Sequence, residues 1–391
     1  MAETASTVLC VVGARPNFMK IAPVIAALRS EPFRLNTRLV HTGQHYDVAM
    51  NERFFQQLGI PVPDINLEVG SLSHAEQTAE IMRRIEPVLD AEAPAALLVV
   101  GDVNSTIACA LVAAKKGIPV AHVEAGLRSY DRSMPEEVNR VLTDQISDWL
   151  FTTERKAREN LLREGIADHR IHFVGNVMID TLLGQRPHAT PASETLAAAP
   201  APDLFRKAPA GFGVLTLHRP SNVDDPQVLR RLLTSLRRIS EQVPLVFPVH
   251  PRTLNRIETA GLAALLDDPR ILRLPPLGYL EMLGLISAAR LVLTDSGGIQ
   301  EETTALGIPC LTLRDNTERP ITVEEGTNTI VGTDAQRIER AVAEILATGG
   351  KSGRVPELWD GHAARRIAEV LHHDLSHVVS SPSTGSAARG K

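Results

Sequence analysis

The carboxylates best suited to proton chemistry stand in the first half of the chain. Asp102 and Glu124 each follow directly on an apolar run, and Glu136 comes shortly after them. Carboxylates that lie close together push one another's pKa values apart, which suits one as an acid and another as a base. We therefore predict that these three residues form an acid–base group.

Each of these carboxylates also has a structural interpretation, which the sequence leaves open. Asp102 can cap the helix that Asn-Ser-Thr at 104–106 begins. Glu136 and Glu137 follow Pro135, and the dipole of a helix favours acidic residues in its first turn.

The second half of the chain predicts a phosphate site in the segment DSGGIQEE, residues 295–302. Gly297 and Gly298 let the backbone approach an anion, for which a helix N-terminus supplies amide donors. Ser296 can add a hydroxyl donor. Glu302, about one turn further on, can accept hydrogen bonds from sugar hydroxyls, as carboxylates do with ribose. A plain glycine turn with a helix cap is the alternative.

Cationic residues accompany several of the other turns. Arg15 and Lys20 surround the first strand-to-helix turn, and Arg219, Arg252 and Arg319 are further candidates, of which Arg219 and Arg252 can equally be surface charges. The chain lacks Gly-x-Gly-x-x-Gly after its first strand, a Walker loop and Asp-x-Asp. We therefore predict that the anion is held by His, Arg, Ser and helix dipoles, with no dinucleotide cofactor and no metal.

Apolar runs that alternate with helical patterns must position these residues. The runs are rich in Val, Ile and Leu without polar alternation, which is typical of strands buried on both faces of a parallel sheet. The sequence therefore predicts an α/β fold with two doubly wound sheets in series. Ligands bind at the carboxyl ends of such strands. The two sheet edges that carry the polar residues should therefore face one cleft. Polar loops in general are the alternative. The predicted strands are 7–12, 37–42, 95–100, 118–123, 149–152, 171–174, 213–217, 245–249, 271–274, 291–294, 310–313 and 329–331, and the predicted helices include 75–89, 226–239, 253–266 and 335–347.

Composition narrows the class of protein. The 391 residues carry 41 Lys+Arg against 46 Asp+Glu, and this net charge of −5 argues against a nucleic-acid binder. No apolar run approaches the roughly 20 residues that cross a bilayer, and the start of the chain does not resemble a signal peptide. Three cysteines in apolar segments fit a reduced cytoplasm. The Pro- and Ala-rich stretch 184–210 is either a surface insertion or a helical spacer.

Nine segments together resemble the non-hydrolysing UDP-N-acetylglucosamine 2-epimerases, over the chain up to about residue 375. Their order and spacing make the resemblance specific, although each segment alone is weak. The segments are GARPNFMK (13–20), TGQHYD (42–47), GDVNST (101–106), HVEAGLRS (122–129), MPEEVNR (134–140), VGNVMIDTL (174–182), LHRPSNV (217–223), TDSGGIQEE (294–302) and RDNTERP (314–320).

The resemblance implies two Rossmann-like domains facing a central cleft, as in B-type glycosyltransferases (a GT-B-like fold). The Pro- and Ala-rich composition of 184–210 places the domain boundary just before it, near Asn176. A first domain at 1–176 then forms the acid–base side and a second at 177–358 the UDP side. A helix at 359–378 then returns to the first domain, and the low-complexity tail 380–391 is expected to be disordered. The implied reaction interconverts UDP-GlcNAc and UDP-ManNAc without NAD or metal, by anti elimination of UDP to a 2-acetamidoglucal and re-addition.

The resemblance also implies roles for the candidate residues. Asp102 and Glu136 become the acid–base pair, and Glu124 orients groups or shares a proton. Glu302 holds the ribose, Arg319 lies near the diphosphate or the sugar, and Lys20 matches the family's first-turn lysine. The predicted clamp for UDP consists of Arg15, His218, Ser296, Gly297 and Gly298, and His218 is also counted with the catalytic residues.

Some positions depart from the family pattern. Leu277 and Met282 replace a Gln and a Phe at the uracil pocket, and Leu217-His218-Arg219-Pro220 replaces a Gly-His-Arg-Arg pattern. Gln44 and His45 match a segment that binds a second UDP-GlcNAc as allosteric activator in bacterial relatives. The family also implies a homodimer, and surface polysaccharide, teichoic-acid linkage or an amino-sugar product as the pathway.

Four other functions remain open at this point. A hydrolysing epimerase would release UDP and free ManNAc with the same residues. A 2-epimerase of a modified UDP-sugar, such as a 2,3-diacetamido uronate, would differ only in its substrate. A glycosyltransferase of the same fold would need an acceptor site rather than three carboxylates. A non-catalytic nucleotide-sugar sensor would need none of the three carboxylates.

Overall fold

The computed structural model of the protein describes residues 6–43, 59, 61–199, 204–205 and 211–380, without the side chains of Arg15 and 377–380. Its strands form one sheet of seven strands and one of six, and every described strand pair is parallel. The predicted α/β class with two doubly wound parallel sheets is confirmed. We call the seven-stranded sheet with its helices the first lobe, and the six-stranded sheet with its helices the second lobe.

The first lobe is built around a sheet that is buried on both faces. Its strands are β1 (Thr7–Val12), β2 (Asn36–His41), β3 (Ile65–Asn66), β4 (Ala96–Val100), β5 (Val120–Ala125), β6 (Trp149–Thr152) and β7 (Ile171–Phe173), in the order β3-β2-β1-β4-β5-β6-β7. Its helices are α1 (Arg15–Arg29), α2 (His74–Glu92), α3 (Asn104–Lys115), α4 (Pro135–Ile146), α5 (Arg155–Arg163) and α6 (Val177–Gln185). Successive residues of β1 enter opposite core clusters, Cys10 one and Val11 the other, which explains why the run has no polar alternation.

The second lobe repeats this architecture. Its strands are β8 (Gly213–Thr216), β9 (Leu245–Pro248), β10 (Ile271–Leu274), β11 (Leu291–Thr294), β12 (Cys310–Thr312) and β13 (Asn328–Ile330), in the order β10-β9-β8-β11-β12-β13. The helices from this part of the chain are α7 (Ala192–Ala198), α8 (Pro220–Val223), α9 (Pro226–Ser240), α10 (Pro251–Thr259), α11 (Tyr279–Ala288), α12 (Gly297–Leu306), α13 (Pro320–Glu324), α14 (Ala335–Thr348) and α15 (Ala363–Ser380). Short 3₁₀ turns lie at Asp168–Arg170, Arg186–His188 and Ala263–Leu266.

The final helix, α15, packs against the first lobe rather than the second. Its residues Ile367 and Leu371 are fully buried in the same core cluster as Ile21 of α1. Asp180 of α6 accepts hydrogen bonds from the backbone amides of Ala363 and Ala364 and so caps α15. The division of the chain into domains at 176 and 358 stays a prediction, and residues 381–391 lie outside the described residues.

Every predicted strand overlaps an observed strand, but two local predictions are wrong and one observed strand was not predicted. The predicted helix 253–266 is broken, because α10 ends at Thr259 and Gly261 takes a left-handed φ of 64° before the 3₁₀ turn. The short edge strand β3 was not predicted, since two residues carry no periodic pattern. β5 extends two residues beyond its predicted end and includes Glu124, as described below.

The Pro- and Ala-rich stretch contains helical structure where it is described. α7 buries Leu196 in a core cluster of the second lobe. Gly284 of α11 approaches this segment so closely that a Cβ there would lie 1.7 Å from the carbonyl oxygen of Thr190. The stretch is therefore packed against α11 and is not a separate surface insertion over these residues. In the part of the chain that the structure describes, no helix is long and apolar enough to cross a membrane.

Candidate active site

An ion-pair network joins the two lobes at the carboxyl ends of their strands. Glu124 of β5 contacts the ammonium of Lys20 from α1 through Oε2. Its other oxygen, Oε1, lies 3.1 Å from Nη2 of Arg319, which comes from the second lobe just before α13. All three residues are at least nine-tenths buried. The structure therefore brings together three residues that the sequence placed near the sugar diphosphate.

The backbone of Glu124 explains how its carboxylate reaches this network. Glu124 has a φ of 74°, in the left-handed region that side-chain-bearing residues rarely adopt. The pairing of β5 with β6 shifts register between Val123 and Ala125, which is the mark of a bulge. The sequence predicted that the strand ends before Glu124, whereas the bulge re-aims this residue from within the strand.

Burial and charge act in opposite directions on Glu124. Burial alone would raise the pKa of its carboxyl, but Lys20 and Arg319 outweigh burial and hold the pKa below its ordinary value. Glu124 is therefore ionised at neutral pH, with both oxygens occupied by cations.

Asp102 lies at the turn between β4 and α3, close to this network. Its carboxylate contacts Nη2 of Arg140 from α4, and its side chain keeps 26% exposure. Burial opposes the ionisation of Asp102, but attraction to Arg140, Lys20 and Arg319 lowers its pKa below the ordinary value. Asp102 therefore combines an ionised state with a partly exposed side chain, and a proton acceptor requires both.

The two neighbouring glutamates at the start of α4 have different environments. Glu137 is 3% exposed and accepts hydrogen bonds from the backbone amides of Ser129 and Tyr130, at 2.9 Å each. It also pairs with Arg140 at 2.5 Å. Glu136 is half-buried, and its side chain has no hydrogen-bond or ion-pair partner within the described ranges. Glu136 and Arg140 are four residues apart, so they share one face of α4, the face from which Arg140 reaches Asp102.

Arg319 also contacts a carboxylate of its own lobe. Its Nε lies 2.9 Å from Oε1 of Glu301, which further accepts a hydrogen bond from the Asn176 amide at 2.9 Å. Burial raises the pKa of Glu301 to about 7, although Arg319 opposes the rise. Arg319 Nη1 is buried and has no acceptor within the described part of the chain, so it can donate to a bound ligand.

The N-terminus of α12 lies at the turn where the sequence predicts an anion-binding site. Ser296 is the cap residue, but its side chain does not bond to the helix amides, which leaves those amides available. A Cβ at Gly297 would lie 2.7 Å from Oε1 of Glu318, so a larger residue there would displace the Glu318 carboxylate. Gly298 and Ser296 line the adjacent cavity.

His218 is held at the edge of that cavity by a buried aspartate. Its Nδ1 lies 2.8 Å from Oδ1 of Asp295, which is fully buried and accepts hydrogen bonds from the backbone amides of His218 and Arg219. Burial would raise the pKa of Asp295, but the hydrogen bonds from His218 and from the backbone lower it below the ordinary value. Nε2 of His218 is therefore the ring nitrogen left to face a ligand.

The cavity itself measures about 380 Å³ and lies between the lobes. Glu302 is 5% exposed at its wall, and burial raises the pKa of this carboxyl to about 7, with the Tyr279 hydroxyl opposing the rise. The sequence-predicted residues that line the cavity are His218, Leu277, Met282, Ser296, Gly298 and Glu302.

Two of the candidate cations have other partners. Arg219 Nη2 lies 3.2 Å from Glu318. Arg252 pairs with Asp224, and its side chain is 44% exposed. Arg252 is therefore a surface charge, the second of the two interpretations given above. The side chain of Arg15 and all of Gln44 and His45 lie outside the described residues.

Sequence reasoning missed several residues of the site. Arg140 and Glu301 stand within quoted motifs but were assigned no role, and Asn176 was treated only as a domain junction. The helical spacing from Glu136 to Arg140 could have indicated a role for Arg140, since residues four apart on a helix are neighbours. Over the described ranges, no group of three or more His, Cys, Asp or Glu could hold a metal ion.

Comparison with known proteins gives consistent matches over nearly the whole chain. The family model for UDP-N-acetylglucosamine 2-epimerase matches residues 26–372. The chain is 42% identical to a UDP-N-acetylglucosamine 2-epimerase of Methanocaldococcus jannaschii over 366 residues, 92% of this chain and 97% of that protein. It is also 42% identical to a UDP-2,3-diacetamido-2,3-dideoxy-D-glucuronate 2-epimerase of Pseudomonas aeruginosa over 368 residues, 93% of this chain and 99% of that protein.

A solved structure extends the likeness to three dimensions. The M. jannaschii UDP-GlcNAc 2-epimerase in complex with UDP-GlcNAc and UDP superimposes with a TM-score of 0.83 at 41% identity, covering 94% of this chain and 99% of that one. The likeness agrees with the predicted GT-B-like arrangement of two lobes.

Proposed function

The chain belongs to the UDP-N-acetylglucosamine 2-epimerase family, and from this premise we propose that it interconverts UDP-GlcNAc and UDP-ManNAc by inverting C2 of the sugar. The observation that carries the proposal is the contact between Glu124 and Arg319 across the cleft. It places the carboxylate side of the first lobe beside the anion-binding side of the second. A UDP-sugar that spans the cleft therefore meets both kinds of chemistry at once.

The chemistry of an N-acetyl sugar explains why both sides are needed. The hydrogen on C2 has no adjacent carbonyl to acidify it, so cleavage of the C1–O bond must precede or accompany its removal. Stabilising the leaving diphosphate is the task of the second lobe. The amides at the start of α12, Nε2 of His218 and the unpartnered Nη1 of Arg319 are the donors for it.

The first lobe then handles the proton. In the elimination, the C1–O bond breaks with its electron pair going to UDP, the C2–H bond breaks with its proton going to a carboxylate, and a C1–C2 double bond forms. The reverse addition delivers a proton to the other face of C2 and restores the C1–O bond. Two proton-transfer groups are required, and we assign them to Asp102 and Glu136.

Glu124 has a different task in this proposal. Both of its oxygens are engaged by Lys20 and Arg319, so it is poorly placed to exchange a proton. Its ionised carboxylate instead orients the two cations toward the diphosphate and the sugar. When a ligand binds, Arg319 can keep this contact and donate Nη1 to the ligand.

Proton NMR in D₂O tests the proposal directly. With UDP-GlcNAc, we expect deuterium at C2 and a mixture of the two intact UDP-sugars. Free ManNAc with UDP would instead show the hydrolysing outcome. Absence of exchange with UDP-GlcNAc in folded protein that binds UDP would contradict the proposed substrate.

A modified UDP-sugar is the second candidate substrate. The observation that favours it is the P. aeruginosa relative, named for a diacetamido uronate and as similar to this chain as the M. jannaschii enzyme. The same NMR experiment with UDP-2,3-diacetamido-2,3-dideoxy-D-glucuronate decides between the two, because the better substrate has the higher kcat/KM for C2 exchange.

From the family we further propose a homodimer that works in the cytoplasm and supplies polysaccharide biosynthesis. A second UDP-GlcNAc, bound through Gln44 and His45, would act as activator. Sedimentation equilibrium tests the dimer. Sigmoidal dependence of the epimerisation rate on UDP-GlcNAc, lost in His45→Ala, tests the activator.

A further inference from the structure

His122 is a fully buried histidine of β5 whose two ring nitrogens both face hydrogen-bond acceptors. Nε2 lies 2.8 Å from the carbonyl oxygen of Gly101. Nδ1 lies 2.7 Å from Oδ1 of Asp144 in α4. His122 is 0% exposed and does not line the cleft cavity.

These contacts determine how the ring is held. A carbonyl oxygen can only accept, so Nε2 carries a proton. Burial would raise the pKa of Asp144, but His122 and Arg128 outweigh burial and lower it, and Arg128 Nη2 lies 2.7 Å from Oδ2. Oδ1 of Asp144 lies on the opposite side of the ring, at Nδ1, so Asp144 holds His122 from behind.

The carbonyl that His122 binds belongs to the turn that carries Asp102. The amide of Gly101 donates to the carbonyl oxygen of Val123 at 3.0 Å, so β5 holds this residue through both its amide and its carbonyl. Gly101 has a φ of 69°, and a Cβ there would lie 3.4 Å from Nζ of Lys20. The Gly101 peptide therefore lies next to Lys20 and Glu124 of the candidate active site.

We propose that His122 is a positioning residue, which fixes the Gly101–Asp102 peptide through Nε2 and so directs the Asp102 carboxylate toward Arg140 and the sugar. The inference rests on the proposed function, because it assigns a purpose to the position of Asp102. Asp144 and Arg128 serve it by holding the ring. Without the bond from Nε2, the Gly101 carbonyl is free to rotate, and the carboxylate one residue later loses its direction.

The competing explanation is that His122 only neutralises the charge of Asp144. The two explanations use different ring nitrogens, which makes them separable. In His122→Gln the side-chain amide nitrogen takes the place of Nε2 and can still donate to Gly101. In His122→Asn the amide nitrogen takes the place of Nδ1 and can donate only to Asp144.

Kinetics of the two variants test the proposal. We expect His122→Asn to lower kcat for C2 exchange by about 10- to 100-fold, with the Kd for UDP unchanged, because a displaced proton-transfer group costs rate rather than binding. His122→Gln should stay within about threefold of the wild-type kcat. The reverse order, or a wild-type kcat in folded His122→Asn, would overturn the proposal. If His122→Asn does not fold, a tenfold or larger loss of kcat in folded His122→Gln would overturn it as well.

Hydrogen exchange separates failure of this inference from failure of the proposed function. Wild-type protein that does not exchange C2 of UDP-GlcNAc contradicts the function, whatever His122 does. Amide exchange of peptides over 98–106, measured by mass spectrometry, reports on the turn without any substrate. Faster exchange in His122→Asn than in His122→Gln supports the positioning role, and equal exchange in both variants contradicts it.

Discussion

Two equally buried glutamates, one in each lobe, have pKa values that are shifted in opposite directions. Glu124 of the first lobe is 4% exposed and Glu302 of the second is 5% exposed. The pKa of Glu124 is held below its ordinary value, whereas that of Glu302 rises to about 7. Burial penalises the charged form in both, so the difference lies in the neighbours: Lys20 and Arg319 beside Glu124, and the neutral Tyr279 hydroxyl beside Glu302.

At the candidate site this contrast corresponds to two tasks. Asp102 of the first lobe also has a lowered pKa, and an ionised carboxylate with a partly exposed side chain can accept a proton from the sugar. A carboxyl that stays near neutrality does not repel a diphosphate and can donate or accept a hydrogen bond, which suits the second lobe to binding. The predictions below ask whether loss of function also divides in this way.

Asp102→Asn should give the largest effect. The amide keeps the shape of the side chain but cannot accept the C2 proton, so we expect kcat for C2 exchange to fall by about 10³-fold. UDP binds the second lobe, and its Kd by calorimetry should stay within about threefold of wild type. A near-normal rate of exchange would show that the first lobe does not depend on this carboxylate.

The adjacent glutamates of α4 supply a matched pair with the next largest effect. Glu136→Gln should lower kcat for C2 exchange by about 10²-fold while the melting temperature is unchanged, because Glu136 has no partner in the described structure. Glu137→Gln should instead destabilise the protein by about 2 kcal/mol, because the carboxylate binds the 129–130 backbone and Arg140. Urea unfolding and C2 exchange of both variants check this. If Glu137→Gln alone lost exchange at normal stability, the sequence-based choice between the two would be reversed.

The sequence predicted the sheets well because the central strands are buried on both faces. That burial leaves runs such as 96–100 wholly apolar, a local pattern that needs no tertiary information. The strand-to-helix turn at 296–298 was also predictable, since a glycine pair follows the apolar run there, and anion binding by this turn stays a prediction.

What the sequence did not predict depends on contacts between distant segments. The partners of Asp102 and Arg319 are Arg140 and Glu301, which stand 38 and 18 residues away along the chain and meet them only after folding. The bulge at Glu124 was missed because an acidic residue after an apolar run normally indicates the end of a strand. In the folded protein Glu124 stays buried within the strand, because Lys20 and Arg319 compensate its charge.

The pH dependence of the unfolding free energy tests the opposite pKa shifts of Glu124 and Glu302. Its expected effect is smaller than the losses of rate given above. In the unfolded chain Glu302 ionises near pH 4.5, but in the folded protein only near 7, so raising the pH through this window favours unfolding of the wild type. Glu302→Gln removes the titration. The unfolding free energy of the variant minus that of wild type should therefore rise by on the order of 2 kcal/mol between pH 4.5 and 7.

Glu124→Gln is the control for that measurement, because its pKa shift has the opposite sign. The ionised Glu124 stabilises the folded state above its unfolded pKa, and this stabilisation is lost as the pH falls through its folded pKa. The unfolding free energy of Glu124→Gln minus that of wild type should therefore decrease as the pH rises, and this change should occur below pH 4.5. Urea midpoints at stepped pH give both curves. If the two free-energy differences changed with pH in the same direction, the contrast between Glu124 and Glu302 would be contradicted.

Met282→Ala should give the smallest effect and confine it to binding. Met282 is half-buried in α11 and lines the cavity of the second lobe, where the resemblance places the uracil. Shortening it removes apolar contact worth about 1 kcal/mol, so the Kd for UDP and the KM should rise about fivefold, with kcat changed far less. Val138→Ala in α4 is the matched control, an apolar truncation at a first-lobe residue that is 43% exposed, and it should alter neither constant. A loss of kcat in Met282→Ala that exceeds the loss of affinity would mean that the second lobe takes part in proton transfer.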